Sequence, residues 1–393
     1  MANALNQLGH LNRFFTSGYV TWPLLQNWAA KRPSRLLNKR FHRQLDTQKV
    51  SSHWRYEIKE QLFYRIYGAG DKVQRAVFNR DKSFDRLISK KLPKYQFDTF
   101  WGFQGSCLKS IKCANSLDKL SICELTTAHV TAAQKILLDE QKLHPNWADS
   151  FDNLNFPLDY QRRLEEEPYE AKMVLAASQF TKQTLLDAGI KSNKIQVLPL
   201  GFDSTYITYR PDKIEPYKNR PLKLLYVGRI TQRKGIAYLL EAMKHFRRDD
   251  VELDIIGYVH GEGKGLKSYK GLYKQLPSLG QHDLFSKYGE YDALVLPTIF
   301  EGFGLVIVEA LMAGLPVITT SHSIGPDVIN DHKNGYLVPI RDVQALVRSI
   351  EKLASKDEDQ LLSMKKAAHN SAMSFTWDKY AQRLGLLIAE LEL

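Results

Sequence analysis

The sequence predicts an α/β protein of two domains, each built on a parallel sheet. Near-continuous apolar segments alternate with stretches of helical period, which is typical of parallel sheets covered on both faces. The clearest of these segments lie at residues 222–227, 253–256, 293–296 and 316–319. Residues 206–221 contain three prolines and no periodicity, which indicates a linker. A chain of 393 residues has room for two such cores.

Two strand–turn–helix–strand units make up the first predicted domain. They comprise a strand at 97–103, a helix at 106–115 and a strand at 120–125, then a strand at 173–177, a helix at 179–188 and a strand at 195–198. Ser178 is placed to cap the second helix and Gly189 to end it. Helical periodicity also predicts helices at 1–8, 53–66, 70–92 and 375–393.

Positive charge is concentrated at the N-terminal end of the chain. Residues 1–112 contain 21 Lys and Arg against 7 Asp and Glu, whereas the remaining residues contain 34 against 36. Aromatic residues lie among these cations, as Phe63 and Tyr64 do beside Arg65. The pattern suits an anionic membrane surface or an anionic acceptor, and a solvated basic face is the plain alternative. A nucleic-acid partner would be supported by the positive charge alone, without a recognised binding motif, so we expect no such partner.

Composition excludes several other classes of protein. Hydrophobic residues make up 44% of the chain and charged residues 25%, as in ordinary globular proteins. Cys107, Cys113 and Cys123 are odd in number and lack C-x-x-C spacing, so we expect a reducing compartment and no structural zinc. The first thirty residues contain no basic segment followed by an apolar stretch, and no window approaches eighteen apolar residues. We therefore expect a cytoplasmic chain that is neither exported nor membrane-spanning.

The segment V-G-R-I-T-Q-R-K-G at residues 227–235 follows the first strand of the second domain. Parallel sheets bind ligands at the carboxyl ends of their strands. Gly228 lets the backbone approach a ligand, Arg229 can hold phosphate oxygens in bidentate fashion, and Lys234 supplies a point charge. A helix predicted from about residue 236 adds amide donors. These features favour a polyphosphate ligand over the alternative of exposed loop cations.

The segment P-T-I-F-E-G-F-G-L-V-I-V-E-A at residues 297–310 follows the third strand of that domain. Glu301 lies in the turn and Glu309 within a helix that begins near Gly304, so the carboxylates can hold different parts of one long ligand. Glu309 lies among apolar residues, where an unpaired carboxylate is costly, and therefore needs a ligand hydroxyl or a buried partner. Capping or solvation of a helix start is the alternative for both glutamates.

The order of these segments resembles glycosyltransferase family 4, the retaining "glycosyl transferases group 1" enzymes of GT-B fold. The resemblance rests on G-R-x4-K-G, then P-T-x2-E-G-F-G-L-x3-E-A-L-x-A-G-x-P-V-I, then N-G-Y-L-V-P at residues 334–339. It is specific over residues 222–340 and fair over 170–205 and 372–384. It implies two Rossmann-like domains that face each other across a cleft.

The resemblance also implies roles for individual residues. Arg229 and Lys234 would bind the donor diphosphate, Glu309 the ribose hydroxyls and Glu301 the hydroxyls of the transferred sugar. His129 follows a strand of the first domain, where the family often has a histidine close to the reacting sugar; a surface or helix-capping histidine is the alternative. His129, Glu301, Arg229 and Lys234 are thus the catalytic candidates. The other donor-binding positions are Gly228, Gly302, Phe303, Gly304, Leu305 and Val306.

Two features depart from the family pattern. The chain starts with a predicted helix, so the usual first strand and its glycine-rich turn are not found. Many members have a double glycine followed by an acidic residue where this chain has S-I-G-P-D at 323–327, which leaves Asp327 as the counterpart.

We expect residues 1–204 to bind the acceptor, residues 205–374 to bind a UDP- or GDP-linked sugar, and residues 375–393 to form a helix that crosses back to the first domain. The expected reaction moves a hexose or related sugar, with retention, to a hydroxyl of a cell-surface glycan, such as a polysaccharide or lipopolysaccharide, or of a lipid-linked acceptor. From the positive charge of the N-terminal region we also expect the protein to bind peripherally to the inner face of the membrane.

No cofactor or metal is expected. The D-E-D at residues 357–359 lies in a predicted polar connector, which we interpret as a solvated turn, and Arg229 and Lys234 can neutralise a diphosphate without a divalent cation. The alternatives are an epimerase or phosphorylase of the same fold, and a degenerate member that binds a nucleotide sugar without catalysis.

Overall fold

The first half of the chain surrounds a four-stranded parallel sheet. Its elements are α1 (Ala2–Gln7), β1 (Phe14–Thr16), α2 (Pro23–Lys31), β2 (Val50–Ser52), α3 (Trp54–Tyr67), α4 (Asp71–Lys91), β3 (Thr99–Phe103), α5 (Leu108–Ser116), β4 (Leu120–Leu125), α6 (Val130–Leu143), α7 (Leu158–Glu170), β5 (Met173–Ala176), α8 (Gln179–Asp187) and β6 (Ile195–Val197). The sheet order is β3-β4-β5-β6, and β1 and β2 form a separate parallel pair. Each strand of this sheet therefore lies beside its neighbour in sequence.

The second half contains a six-stranded parallel sheet. Its elements are β7 (Leu222–Val227), α9 (Ile236–Met243), β8 (Val251–Ile256), β9 (Lys274–Leu276), α10 (Gln281–Lys287), β10 (Ala293–Leu296), α11 (Leu305–Met312), β11 (Val317–Thr320), α12 (Gly325–Val328), β12 (Gly335–Val338), α13 (Val343–Ala354), α14 (Glu358–Ala372) and α15 (Trp377–Leu391). The order is β12-β11-β10-β7-β8-β9. The strand order reverses between β7 and β10, and such a switch point opens a crevice at the carboxyl ends of the strands.

This computed structural model describes residues 1–31, 40–68, 70–151, 156–207, 209 and 220–391. Most of the predicted linker at 206–221 lies outside the described residues. No helix among the described residues is long and apolar enough to cross a membrane.

The last helix packs against the first half of the chain. Tyr380, Leu384 and Leu387 of α15 are buried in one cluster with Ile122 of β4 and Leu175 of β5. The 3.6-residue period places these three apolar side chains on one face of α15, and burial of that face fixes the helix on the N-terminal sheet. Leu384 is fully buried, so its truncation to Ala would cost about 2–5 kcal/mol.

The apolar core of the second half extends into the first half. Leu137 of α6, Trp147 and Phe151 in the following turn, and Phe180 of α8 are buried in the same cluster as the strands of the six-stranded sheet. The two halves are therefore packed together along α6 and α8.

The regular elements agree closely with the sequence predictions. The strands predicted at 120–125, 222–227 and 293–296 are confirmed at both their first and their last residues. The segment 357–359 is exposed, as predicted, but it is a helix start and not a turn: Asp357 caps α14 in a capping box with Gln360, and the next two residues begin the helix. The strands β1, β2 and β9, of three residues each, were not predicted from the sequence.

Candidate functional site

The loop after β7 is shaped by two glycines in conformations that favour glycine. Gly228 has φ +135°, and a Cβ there would lie 3.2 Å from the Lys234 amine, so the loop folds Lys234 over its own start. Gly235 has φ +70°, and a Cβ there would overlap the carbonyl of Pro297. The absence of both Cβ atoms lets the loop at residues 228–235, which we call the cationic loop, lie against the segment that follows β10.

Two cations of this loop converge on Glu301. Arg233 lies 3.2 Å and Lys234 3.3 Å from the same Oε2 of Glu301, and the three side chains are 11%, 12% and 19% exposed. Burial raises the pKa of Glu301, but attraction from Lys234 and Arg233 outweighs it and holds the pKa below its ordinary value. Burial lowers the pKa of Lys234, opposed chiefly by Glu301. The cluster therefore carries a net positive charge in a partly dehydrated crevice.

Arg229 adds to this positive field. The charge of Arg229 favours a lower pKa for both the Lys234 amine and the Tyr226 hydroxyl. The Tyr226 hydroxyl in turn donates a hydrogen bond of 2.9 Å to the Arg229 carbonyl oxygen. The structure thus brings together the predicted residues Arg229, Lys234 and Glu301 and adds Arg233, which our prediction left out. Arg233 lies in the same run of cations, so the sequence carried a signal for it.

Glu309 lies one helix turn inside α11 and has a protein partner. The Tyr288 hydroxyl donates a hydrogen bond of 3.0 Å to Glu309 Oε2. Burial raises the pKa of Glu309, while the Tyr288 hydrogen bond and the charge of Lys234 oppose that shift. Oε1 of Glu309 accepts no hydrogen bond from the residues that the structure describes, so it can accept one from a ligand hydroxyl. No local pattern in the sequence singles out Tyr288 as this partner.

The segment that follows Glu301 is pressed against the first half of the chain. A Cβ on Gly302 would overlap the backbone of Thr126 and Thr127. The Gly302 carbonyl accepts a hydrogen bond of 2.6 Å from Ser178 Oγ and one of 3.2 Å from Thr181 Oγ1. Gly302 is therefore a point of direct backbone contact between the halves.

The amides of 303–306 belong to the turn that opens α11. Gly304 precedes the helix with φ +86°, and Phe303 is buried against Phe375. Leu305 and Val306 start the helix, where amides lack intrahelical partners and the helix dipole favours an anion. This places the predicted backbone positions at the same crevice as Glu301.

Glu140 of α6 joins the two halves in a buried polar network. It is fully buried and accepts hydrogen bonds of 2.8 Å from Gln232 Nε2, 2.8 Å from the Tyr238 hydroxyl and 2.7 Å from Arg341 Nε. Gln232 belongs to the cationic loop itself, and its backbone amide donates a hydrogen bond of 3.0 Å to Ser150 Oγ. The first half of the chain therefore positions the loop that carries Arg233 and Lys234.

His129 lies at the start of α6 but is held by its own half of the chain. Its backbone amide donates to Thr184 Oγ1 at 3.0 Å, and its Nδ1 lies 2.8 Å from Thr131 Oγ1. Nε2 is buried and makes no hydrogen bond within the described part of the chain. Burial lowers the pKa of His129, opposed by Glu165. His129 is therefore a buried imidazole, 1% exposed, whose Nε2 can still make one hydrogen bond.

A cavity of 680 Å³ lies between the halves, bordered by α6, α8 and the turn after β11. Lys135 and Arg341 are its cations, and the ring of Phe180 stacks on His322 at 4.7 Å. The His322 carbonyl accepts a hydrogen bond of 2.7 Å from the Glu301 amide, so the cavity adjoins the Glu301 turn. Asp327, in α12 directly after this turn, accepts a hydrogen bond of 3.1 Å from the Gln179 backbone amide.

Two parallel α/β domains that meet across a crevice, with the last helix packed on the first domain, define a GT-B fold. Solved structures agree. Sucrose-phosphate synthase from Thermosynechococcus elongatus superposes with a TM-score of 0.62 at 19% identity, over 80% of this chain and 79% of that protein. Anabaena HepE in complex with UDP superposes with a TM-score of 0.60 at 16% identity, over 78% and 82%. At these identities the likeness establishes the fold alone.

Residues 211–371 match the family described as "Glycosyl transferases group 1". Among curated relatives, the capsular polysaccharide biosynthesis glycosyltransferase CapM of Staphylococcus aureus is 32% identical over 200 residues, covering 47% of this chain and 52% of CapM. The amylovoran biosynthesis glycosyltransferase AmsK of Erwinia amylovora is 27% identical over 202 residues, covering 48% and 49%. The chain spans about half the length of the curated relatives it matches.

Proposed function

We propose that this chain is a retaining glycosyltransferase that moves a hexose from a UDP- or GDP-linked donor to an acceptor hydroxyl. The observation that carries the proposal is the convergence of Arg233, Lys234 and Glu301 at the switch point between β7 and β10, beside Glu309. In this proposal the cations bind the diphosphate, Glu301 the sugar hydroxyls and Glu309 the ribose. The family match over residues 211–371 supports it.

The proposed chemistry is a front-side displacement. The bond between the anomeric carbon and the diphosphate oxygen breaks, and its electron pair leaves with the diphosphate. Lys234, Arg229 and the amides at the start of α11 stabilise that charge as it develops. The acceptor oxygen bonds to the same face of the sugar, and its proton passes to the departing phosphate oxygen. His129 Nε2 would orient a sugar hydroxyl.

We propose that this reaction needs no divalent metal ion, because protein cations already lie where the diphosphate would bind. The proposal expects unchanged transfer in the presence of EDTA. Transfer that is lost with EDTA and restored by Mg²⁺ or Mn²⁺ would contradict it.

The proposed acceptor is a hydroxyl of a cell-surface glycan or of a lipid-linked sugar. The names of CapM and AmsK support this class of product, and the cavity between α6, α8 and the turn after β11 offers 680 Å³ beside the Glu301 turn. The basic N-terminal region supports a peripheral position on the inner face of the membrane, where such acceptors are assembled.

The test is a thermal-shift and product screen of the full chain against UDP- and GDP-sugars. We expect one donor class to raise the melting temperature and to release its nucleotide when acceptor is added. Glu309→Ala and Arg229→Ala should abolish the shift, whereas Lys244→Ala, an exposed cation of the same domain, should retain it. Binding without transfer or donor hydrolysis would contradict the catalytic proposal, and a changed anomeric configuration would contradict retention.

A further inference from the structure

Helix α3 has an outward face that combines aliphatic and cationic side chains. Six residues at three- and four-residue spacing share this side of the helix, and we call them the α3 face: Arg55, Ile58, Lys59, Leu62, Arg65 and Ile66. Ile58, Leu62 and Ile66 are 61%, 53% and 60% exposed and follow one another at i, i+4 and i+8. Aliphatic side chains in such a continuous exposed row mark an interaction surface.

The acidic residues of α3 lie away from this face. Glu57 is buried and forms an ion pair with Arg40. Glu60 forms an ion pair with Arg80 of α4. The α3 face therefore has three cations and no acidic side chain, so its charge complements an anionic partner.

A second set of exposed apolar residues lies nearby at α2. Trp22, Leu24 and Trp28 are 73%, 86% and 44% exposed. The residues that lead into α2 touch the start of α3, because Trp54 Nε1 donates a hydrogen bond of 3.1 Å to the Tyr19 carbonyl. Exposed tryptophans are typical of protein regions that insert at the interface of a bilayer.

A groove between α3 and α4 continues the positive charge. It has a volume of 380 Å³, and Lys59, Lys72 and Arg75 are among the residues that line it, together with Phe63 and Tyr67. Lys59 belongs both to this groove and to the α3 face. The groove therefore offers cations and aromatic edges at the border of the aliphatic row, where headgroup phosphates would lie.

We infer that the α3 face docks on an anionic lipid bilayer, with its aliphatic side chains at the acyl boundary and its cations at the headgroup phosphates. A helix that lies in the plane of a membrane has this combination of residues, because apolar burial and attraction to anionic lipid add together. This assignment rests on the peripheral location proposed above and adds which surface of the protein contacts the membrane.

The experiment is flotation of the full chain with vesicles of phosphatidylglycerol and phosphatidylcholine, and with vesicles of phosphatidylcholine alone. We expect binding to the anionic vesicles only, weakened as salt rises. The combined variant Ile58→Ser, Leu62→Ser, Ile66→Ser should bind at least about tenfold more weakly. The control changes three similarly exposed leucines elsewhere, Leu138→Ser, Leu143→Ser and Leu386→Ser, and should bind like the wild type.

A charge variant tests the cations separately. Lys59→Glu with Arg65→Glu should lose about tenfold or more in anionic vesicle binding at low salt and should show a flatter salt dependence. A thermal shift with the nucleotide donor, measured on the same samples, reports the donor site independently of the membrane surface.

The possible outcomes separate the claims. Undiminished vesicle binding by both α3 variants would overturn the surface assignment while leaving peripheral location standing. Wild-type chain that ignores anionic vesicles but responds to donor would overturn the membrane proposals and leave the transferase proposal intact. A wild-type dimer that the triple serine variant converts to monomer, without lipid binding, would assign the α3 face to a second copy of the chain and overturn the inference.

Discussion

Replacement of Glu140 by Ala is expected to loosen the contact between the two domains. Glu140 is fully buried and receives hydrogen bonds from Gln232, Tyr238 and Arg341, all of which belong to the second domain. Removing one partner of a buried ion pair costs about 3–5 kcal/mol. The Arg341 side chain is 28% exposed and can recover water, so we expect the lower end, a loss of about 3 kcal/mol.

The assay is urea unfolding of the full chain followed by tryptophan fluorescence. Asp139→Ala is the matched control, because Asp139 precedes Glu140 on the same helix and its side chain is 49% exposed; its cost should stay within about 0.5 kcal/mol. Glu140→Gln keeps an oxygen acceptor but loses the charge, so its cost should fall between those of the two alanine variants. A loss below about 1 kcal/mol for Glu140→Ala would show that the buried Glu140–Arg341 ion pair does not hold the two domains together.

The same variant should also weaken donor binding. Gln232 is fully buried, lies between Arg229 and Lys234 in the cationic loop, and is oriented by Glu140. Calorimetric titration with UDP or GDP should show weaker binding for Glu140→Ala than for Asp139→Ala. Equal affinities would mean that the cationic loop holds its position without the first domain.

Three further changes have defined outcomes. Gly302→Ala should cost about 1–3 kcal/mol and most of the activity, because the methyl group would overlap the backbone of the facing domain; Gly289→Ala, with open space around it, is the control. Burial raises the pKa of Asp327 to about 6, so the contribution of Asp327 to stability falls as pH rises from about 4 through 6. Over that range the melting temperature of Asp327→Asn should rise relative to that of the wild type. A constant difference between the two melting temperatures would contradict this. Tyr288→Phe leaves Glu309 without its 3.0 Å hydrogen bond and should weaken nucleotide binding by up to about tenfold, while unchanged binding would exclude a ribose contact at Glu309.

The parts of the fold that local pattern determines could be predicted from the sequence. The largely apolar runs at β4, β7 and β10 predicted the bounds of their strands, because buried parallel strands are near-continuous apolar segments between turns. The position of the cationic loop after β7 and the glutamate turn after β10 also followed, since ligands of parallel sheets lie at the carboxyl ends of strands.

Contacts between distant parts of the chain could not be predicted. Glu140 and Arg341 are 201 residues apart, and Glu140 lies in a helix whose pattern gives no sign of a buried carboxylate. Tyr288 reaches Glu309 from the end of a different helix, and Gly302 meets Thr127 only because the two domains are in contact. These arrangements depend on domain packing, which a single sequence does not encode locally.

The most direct test of the donor site is a calorimetric titration of nucleotide diphosphate into the wild type, Lys234→Ala and Lys244→Ala. Lys234 is 12% exposed and paired with Glu301, whereas Lys244 is 46% exposed on the surface of the same domain. We expect one nucleotide per chain for the wild type and Lys244→Ala, and at least about tenfold weaker binding for Lys234→Ala, because a dehydrated cation at a phosphate contributes well over 1 kcal/mol. Equal binding by all three proteins would contradict a diphosphate site at the carboxyl ends of β7 and β10.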